Sequence, residues 1–187
     1  MARYRTPACA PADVRVRHIA RRDWGAIAAL EDRAYAGRAL AEGRAALQAR
    51  GRASPGTCFV LDADGAPEGY LLALPYPLFR CPELHAAGDT GHAAPGGSGG
   101  AGNLHLHDVV VAEHLRGAGL AGRLIARLTA TARARRYERI SLVAVAGSAD
   151  FWSRRGYRPY ADVTPPADYG PGAVYMSRAV RPAGEEG

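Results

Sequence analysis

A glycine-rich segment in the second half of the chain carries two phosphate-binding patterns at once. Gly117, Gly119 and Gly122 form G-x-G-x-x-G, the fingerprint of dinucleotide sites. Arg116, Gly119 and Ala121 form R-x-x-G-x-A, a pattern associated with the pyrophosphate of coenzyme A. Both patterns place small residues at the start of a helix, where main-chain N–H groups and the helix dipole attract phosphate oxygens. The segment therefore predicts a site for a phosphate-bearing ligand.

The surroundings of this segment disfavour the dinucleotide interpretation. That fingerprint needs its first glycine directly after a strand and an acidic residue about 20 residues further on, at the end of the next strand. Here the five residues Ala-Glu-His-Leu-Arg separate Val111 from Gly117. The next predicted strand ends in Val-Ala-Val-Ala-Gly, with no carboxylate after it before Asp150. The coenzyme A pattern is therefore the better description.

A second pattern that could do chemistry is the segment Leu-His-Leu-His-Asp just before the glycines. Histidine titrates near pH 6.5, so it suits proton transfer at neutral pH. Strand alternation predicts that His105 and His107 share one face. Val109 and Val111 would lie on that same face, whereas Asp108 would point the opposite way. Each histidine also fits a hydrogen-bonded structural role, and a metal pair is a further alternative for which no third ligand is evident.

Composition limits the classes of chemistry. The net charge is +6, and all 24 basic residues are arginines. Without lysine there is no Schiff-base nucleophile, which excludes most pyridoxal-phosphate enzymes. The positive balance suits a nucleotide-bearing ligand and, equally, weak RNA binding. Cys9, Cys58 and Cys81 form no disulfide or zinc pattern. Because no apolar run suits a signal peptide or a membrane span, we expect a cytoplasmic protein.

The elements that must position these residues follow from the apolar periodicity. We predict a strand at 13–19, helices at 21–37 and 40–51, a hairpin of strands 57–62 and 68–74, a strand at 104–111, a helix at 120–136, a strand at 139–145, a short helix at 148–156 and a strand at 173–180. Gly, Ala, Ser and Pro dominate residues 88–103, which predicts a flexible loop. This order is typical of one α+β or layered α/β domain spanning residues 1–187.

Residues 106–157 read LHDVVVAEHLRGAGLAGRLIARLTATARARRYERISLVAVAGSADFWSRRGY. This stretch resembles the core of the GCN5-related N-acetyltransferase (GNAT) superfamily: a strand, a charged linker, R-x-x-G-x-A, an amphipathic helix, a strand, and a short helix ending in aromatic-x-x-x-G-aromatic. The resemblance covers about a third of the chain, and residues 1–103 match only in the order of elements. It implies a mixed, curved sheet of six to seven strands flanked by about four helices, in which two parallel strands splay apart around pantetheine.

The resemblance also implies roles for individual residues. Val109 and Val111 would bind pantetheine through their main chain, and the Val109 N–H would donate to the oxyanion. Residues 116–122 would cradle the pyrophosphate, and Arg123 and Arg154 would reach the more distant phosphates. The implied cofactor-binding residues are Val109, Val110, Val111, Arg116, Gly117, Ala118, Gly119, Leu120, Ala121, Gly122, Arg123, Ser148, Trp152 and Arg154.

The expected catalytic residues are His105, His107 and Asp108. His105 falls where members of the family carry a catalytic Glu, and His107 lies one step nearer the thioester, so either is a candidate base or proton relay. Asp108 would anchor a loop or orient the substrate. Trp152 stands where the family often has a Tyr as general acid, and it has no acidic phenol. The remaining aromatic candidates are Tyr76, Tyr160 and Tyr175 as acids, Tyr157 in the core, and Trp24, Tyr35 and Phe79 around the acceptor.

The resemblance implies an N-acyltransferase that moves an acyl group, expected to be acetyl, from acyl-CoA to a primary amine of a small molecule. Because no cysteine lies in the motif region, we expect direct attack in a ternary complex. Two alternatives remain: the same fold with an aminoacyl-tRNA donor, and a non-catalytic sensor of acyl-CoA. We expect no membrane association, no bound metal, and a homodimer as the assembly.

Overall fold

The computed structural model describes residues 13–85 and 102–180. Its elements are β1 (Val14–His18), α1 (Trp24–Ala34), α2 (Gly43–Ala53), β2 (Phe59–Ala63), β3 (Ala66–Pro75), β4 (Asn103–Val111), α3 (Leu120–Ala134), β5 (Arg139–Ala144), α4 (Ala149–Ser153), β6 (Arg158–Pro159) and β7 (Val174–Ala179). Short 3-10 turns lie at Arg21–Asp23, Pro55–Thr57, Glu113–Leu115 and Ala167–Tyr169.

The seven strands form one mixed sheet in the order β1-β2-β3-β4-β5-β7-β6. Strands β4 and β5 are parallel, and all the other neighbours are antiparallel. Each face of the sheet carries its own apolar cluster. Leu124 and Leu128 of α3 pack on one face together with Trp152 of α4. Ile27 of α1 and Leu47 of α2 pack on the other face. This is the α+β architecture that the resemblance implies.

A β-bulge interrupts β4 at the histidine segment. Leu72 of β3 pairs with Asp108, but the next residue, Ala73, pairs with Leu106. His107 is therefore the extra residue on β4. Because a bulge adds one residue to one strand only, the side-chain alternation shifts by one position at this point. The two halves of β4 consequently follow different alternations.

Strands β4 and β5 separate after their first four residue pairs. Pairing runs from Asn103 with Arg139 to Leu106 with Leu142. β4 continues to Val111 along β3, whereas the last residues of β5 pair only with β7. A gap therefore opens between two neighbouring parallel strands, on the side where residues 107–111 lie.

The predicted elements agree with the observed ones to within a few residues, apart from three differences. The two-residue strand β6 was not predicted from the sequence. Ser148 occupies the N-cap position of α4, but its side chain makes no capping hydrogen bond. Residues 88–101 of the predicted flexible loop lie outside the described residues. Asn103, placed in that loop, instead begins β4, because it pairs with Arg139 of the neighbouring strand.

Candidate active site

A cavity of about 490 Å³ opens where β4 and β5 separate. His107, Asp108 and Val109 of the bulged strand lie in its middle. One end is lined by Arg116, Ala121, Val143, Ser148, Phe151 and Trp152. The other end is lined by Glu31, Tyr35, Arg38, Leu40, Glu42, Leu84 and Tyr169. The cavity thus connects the glycine-rich segment with a chamber formed by α1, the start of α2 and the loops near them.

The turn before α3 exposes the main chain of the glycine-rich segment. Gly117 and Gly119 have φ values of 86° and 75°, a left-handed conformation that favours glycine. Gly122 lies in the first turn of α3 with ordinary helical geometry, and a Cβ atom there would meet nothing within 4 Å. The fold itself therefore does not require glycine at position 122. Open space above the N-terminus of a helix is what a bound diphosphate needs.

The main chain of Val109 points into the gap between β4 and β5. The Ala112 N–H donates to the Glu68 carbonyl oxygen at 2.8 Å, which marks these two residues as a hydrogen-bonded pair between β4 and β3. Bonded and non-bonded pairs alternate along an antiparallel ladder, so Val110 is a bonded residue and Val109 is not. The N–H and C=O groups of Val109 are therefore directed away from β3, toward the opening.

The Val111 carbonyl oxygen points the same way and accepts a hydrogen bond from Arg116 Nε at 3.3 Å. This contact ties the end of β4 to the arginine of R-x-x-G-x-A and places that arginine at the cavity. Val109 packs beside the apolar cluster of α3, and Val110 belongs to the opposite cluster. The three valines therefore contribute unequally: Val109 lines the cavity, and Val110 and Val111 are buried on either side of the strand.

His107 lies at the centre of the cavity with one ring nitrogen engaged and the other free of protein partners. Its Nε2 atom makes a short hydrogen bond to Oε2 of Glu42. Its Nδ1 atom is buried and has no hydrogen-bond partner among the described residues. Buried polar atoms are normally paired, so an unpaired ring nitrogen in a residue that lines a cavity is a candidate contact for a ligand atom.

His105 is buried away from the cavity, with 1% of its surface exposed. Its Nδ1 atom lies 3.0 Å from the Ser141 hydroxyl of β5, which also accepts a hydrogen bond from Asn103 Nδ2 at 2.8 Å. Burial lowers the pKa of His105 well below 6.5, and the neighbouring His107 and Arg50 add to the effect. His105 is therefore a neutral histidine at physiological pH, held between β4 and β5.

The prediction that both histidines share a face with Val109 and Val111 was wrong. Leu104 and Leu106 pack with the α3 cluster, which turns His105 and His107 to the α1 and α2 side. The bulge then reverses the alternation, so that Val109 and Val111 lie on the α3 side.

Asp108 was predicted to point the opposite way from His107, and this was also wrong. Its carboxylate accepts hydrogen bonds from the Tyr35 hydroxyl of α1 at 2.6 Å and from the Tyr70 hydroxyl of β3, on the same side of the sheet as His107. Burial raises the pKa of the Asp108 carboxyl, and the two tyrosine hydroxyls oppose that shift. Two sequence neighbours thus face one cavity, because the bulge brings them to the same side.

Several of the predicted cofactor residues lie at a distance from the cavity. The Arg123 guanidinium donates to the Val14 carbonyl oxygen at 2.6 Å, and Arg154 is exposed in the turn that follows α4. Gly122 lines a separate groove along α3. Those at the cavity are Val109, Arg116, Ala121, Ser148 and Trp152; those not on its lining are Val110, Val111, Gly117, Ala118, Gly119, Leu120, Gly122, Arg123 and Arg154.

The aromatic residues divide between the core and the cavity. Trp152 is buried edge-on against Tyr157 and lines the cavity with its indole. Tyr157 packs in the core, as predicted. Tyr169 lines the end of the cavity near α1 and donates its hydroxyl proton to the Pro82 carbonyl oxygen at 2.8 Å. Among the earlier candidates, Tyr35 lines the cavity, Trp24 is core and Phe79 is exposed.

The residues that bind the side chain of His107 were not predicted from the sequence. Glu42 binds both His107 and Arg50, and Glu31 binds the main-chain N–H groups of Glu42 and Gly43 at 2.8 and 2.9 Å. One signal in the sequence could have suggested that Glu42 pairs with Arg50: Glu42 directly precedes α2, and Arg50 follows two helical turns later. Across residues 13–85 and 102–180, no group of three His, Cys, Asp or Glu side chains comes together as a metal site.

Comparison with known proteins agrees with this geometry. The sequence model of the acetyltransferase (GNAT) family matches residues 16–157. The chain belongs to the GNAT family. Among curated proteins, no sequence matches this GNAT chain. The match begins well before residue 106, and it includes part of β1 and the helices α1 and α2, which lie at one end of the cavity.

Solved GNAT structures share the fold at low identity. A GNAT-like decarboxylase, GphF, in complex with isobutyryl-CoA is 22% identical with a TM-score of 0.70, over 89% of this chain and all of its own. An N-acetyltransferase from Staphylococcus aureus Mu50 is 16% identical with a TM-score of 0.65, over 91% and 100%. A GNAT family acetyltransferase from Brucella melitensis in complex with acetyl-CoA is 19% identical with a TM-score of 0.60, over 91% and 90%.

Proposed function

We propose that this GNAT protein is an N-acyltransferase that moves an acyl group, with acetyl as the first candidate, from acyl-CoA to the primary amine of a small molecule. One observation carries the proposal: the outward-facing main chain of Val109 lines the same cavity as His107, whose buried Nδ1 has no protein partner among the described residues. Arg116 and Ala121, which flank the glycine turn, line one end of that cavity, and a separate chamber forms the other.

The residues present fit acyl-CoA as the co-substrate. Residues 117–119 offer main-chain N–H groups at the start of α3 for a diphosphate, and Gly122 leaves open space beside them. The freed edge of β4 offers the Val109 N–H and C=O to the amides of pantetheine. When bound there, acyl-CoA supplies an activated thioester carbonyl beside Val109. The Val109 N–H is then our candidate oxyanion donor.

His107 is the proposed general base. An alkyl ammonium has a pKa near 10, so the amine must lose a proton before or during attack on the carbonyl. His107 lines the cavity, and its unpaired Nδ1 is the atom that we propose accepts that proton, directly or through one water molecule. Asp108, held by Tyr35 and Tyr70, adds negative charge that attracts the ammonium form of the acceptor. His105 does not line the cavity, so we propose that it has a structural role.

The arginines of α3 give little support to the alternative of an aminoacyl-tRNA donor. Arg123 donates to the Val14 carbonyl oxygen, Arg127 stacks over the Phe59 ring, and Arg133 donates to the Val180 carbonyl oxygen at 3.1 Å. The side chain of Arg135 fills the space beside Gly56. Arg123 and Arg127 share one face of α3, and Arg135 follows its last residue. Each of the four arginines contacts another part of the fold, whereas binding an RNA backbone needs a continuous basic patch that is free to contact phosphates.

A ligand and turnover panel tests the proposal. Purified protein is incubated with acetyl-CoA, longer acyl-CoA thioesters, NAD(P) and bulk tRNA, and thermal stability is measured. Release of free CoA thiol is then measured against a panel of primary amines. We expect stabilisation by acyl-CoA alone and amine-dependent thiol release. Stabilisation without turnover would favour the sensor, stabilisation by tRNA alone would favour the other donor, and carbon dioxide release from a carboxyacyl-CoA would favour a decarboxylase.

Two further expectations stay proposals. A cytoplasmic location rests on the sequence; across the described part of the chain, no helix is both long and apolar enough to span a membrane. A homodimer is expected from the class of protein, and size-exclusion chromatography with light scattering measures it directly.

A further inference from the structure

A buried charged cluster lies behind His107, on the side remote from its free nitrogen. Oε1 of Glu42 accepts hydrogen bonds from Nη2 of Arg50 at 2.6 Å and from the His85 N–H at 3.1 Å. Oε2 accepts from Nε of Arg50 at 3.2 Å and makes the short contact with His107 Nε2. The side chains of Arg50, Glu42 and His107 are only 2%, 3% and 2% exposed.

This cluster is an unusual way to stabilise a fold. Taking two charges out of water costs several kcal/mol, and an apolar pair of similar volume is often as stable. Both oxygens of Glu42 are engaged by donors, so the carboxylate has little freedom to move. The N-terminus of α2 is fixed as well, because Glu31 binds the main-chain N–H groups of Glu42 and Gly43. The result is a rigid carboxylate in contact with His107.

We infer that Glu42 is a positioning residue that holds a proton on Nε2 of His107, so that in the neutral ring the lone pair is on Nδ1. This inference rests on the proposed function, in which Nδ1 accepts a proton from the amine. An ionised carboxylate can only accept hydrogen bonds, so the ring nitrogen it contacts must carry hydrogen. The other nitrogen of the neutral ring then has a free lone pair.

The remaining charged groups around His107 do not compete for this role. Burial raises the pKa of Glu42, but the hydrogen bonds to His107 and Arg50 outweigh it and lower that pKa to about 2, so Glu42 remains an acceptor across the neutral range. Asp108 is engaged by Tyr35 and Tyr70, and His105 by Ser141. Among the described residues, the titratable and charged groups that line the cavity with His107 or lie next to it are Glu31, Tyr35 and Arg38 of α1 and the loop after it, Glu42 and Arg50 of the α2 segment, Tyr70 of β3, His105 and Asp108 of β4, Arg116, and Tyr169.

The experiment compares the wild type with Glu42→Gln, using Glu68→Gln as the matched control. Glu68 also lies near a histidine, 3.8 Å from His114, but on the partly exposed side of β3. Tautomers are assigned by 15N NMR of the histidine rings at alkaline pH, with His107→Ala to identify the signals. We expect Nε2–H in the wild type and in Glu68→Gln, and a mixture of tautomers in Glu42→Gln. The kcat of Glu42→Gln should fall about 10²- to 10⁴-fold, with KM for acyl-CoA unchanged.

A wild-type His107 with its proton on Nδ1 would overturn the inference, and this result needs no variant. An unchanged tautomer and an unchanged kcat in Glu42→Gln would overturn it as well. A rise in KM for acyl-CoA as large as the fall in kcat would also overturn it, because that result indicates a general structural role. The tautomer measurement is independent of turnover. If the wild type shows no acyl transfer and Glu42→Gln still changes the tautomer, the proposed function fails and the positioning role of Glu42 stands.

Discussion

At the scale of single residues, the two histidines of one strand segment have opposite environments. His107 lines the cavity and has an unpaired ring nitrogen, whereas His105 is enclosed between strands with its Nδ1 beside the Ser141 hydroxyl. Sequence reasoning could name both as candidates because imidazole suits proton transfer. It could not rank them, because burial and hydrogen-bond partners come from other strands and from α2. Asp108 was assigned to the wrong face for a related reason, since no spacing rule reveals a bulge.

The buried neutral state of His105 predicts a pH-dependent stability. The folded pKa of His105 lies well below its ordinary value of 6.5, so the unfolded chain binds this proton more readily. Stability is therefore complete above about pH 7 and falls as the pH drops below 6.5, with a slope of up to about 1.4 kcal/mol per pH unit. Urea unfolding between pH 7 and pH 5 measures it. His105→Gln should show a shallower slope, and equal slopes would contradict the assignment.

At the scale of elements, the helices and longer strands were predictable because their apolar residues repeat at helical or strand spacing. The two-residue β6 has no such period. β4 and β5 pair over only four residues, and the residue pattern of neither strand indicates where that pairing ends. The opening of the cavity is therefore a tertiary property. The start of α3 was predictable, since glycine at positions 117 and 119 matches their left-handed backbone.

The glycine turn and the first turn of α3 predict a selective defect in ligand binding. Gly122→Glu introduces a carboxylate into the first turn of α3, directly after the turn that we propose binds the diphosphate, in a helical position with no steric conflict. The fold should be retained, because glutamate is a better helix former than glycine and is favourable near a helix N-terminus. The Kd for acetyl-CoA, measured by isothermal titration calorimetry, should rise about tenfold or more.

Gly25 provides the matched control for this experiment. It also lies in the first turn of a helix, and its Cβ position is equally open, but it belongs to α1. Gly25→Glu should leave the Kd for acetyl-CoA unchanged. Tight binding by Gly122→Glu, or an equal loss in both variants, would place the diphosphate elsewhere.

At the scale of the whole molecule, one sheet carries both apolar clusters, so the two faces should unfold together. The two tryptophans of the chain report on opposite faces: Trp24 lies in the cluster of α1 and α2, and Trp152 in that of α3 and α4. In Trp24→Phe and in Trp152→Phe, the remaining tryptophan should give the same thermal midpoint as far-UV circular dichroism. Fluorescence and circular dichroism scans of each variant measure this.

Separate midpoints for the two signals in either variant would contradict a single cooperative unit. Acetyl-CoA at about 100 times its Kd should stabilise that unit by about 2.7 kcal/mol without splitting the transition. The class of fold was evident from the order of elements, but the sheet order was not, because local periodicity carries no information about which strands are neighbours.

The single inserted residue in β4 has a consequence for comparing this protein with its relatives. Upstream of it, odd-numbered side chains face α1 and α2; downstream, even-numbered ones do. A homologue that lacks the insertion would present a different set of side chains to the α1 and α2 side of the sheet even if the flanking residues were the same. The side chains of β4 in such homologues should therefore be compared only after their pairing partners on β3 have been aligned. Counting residues along β4 alone assigns side chains to the wrong face of the sheet.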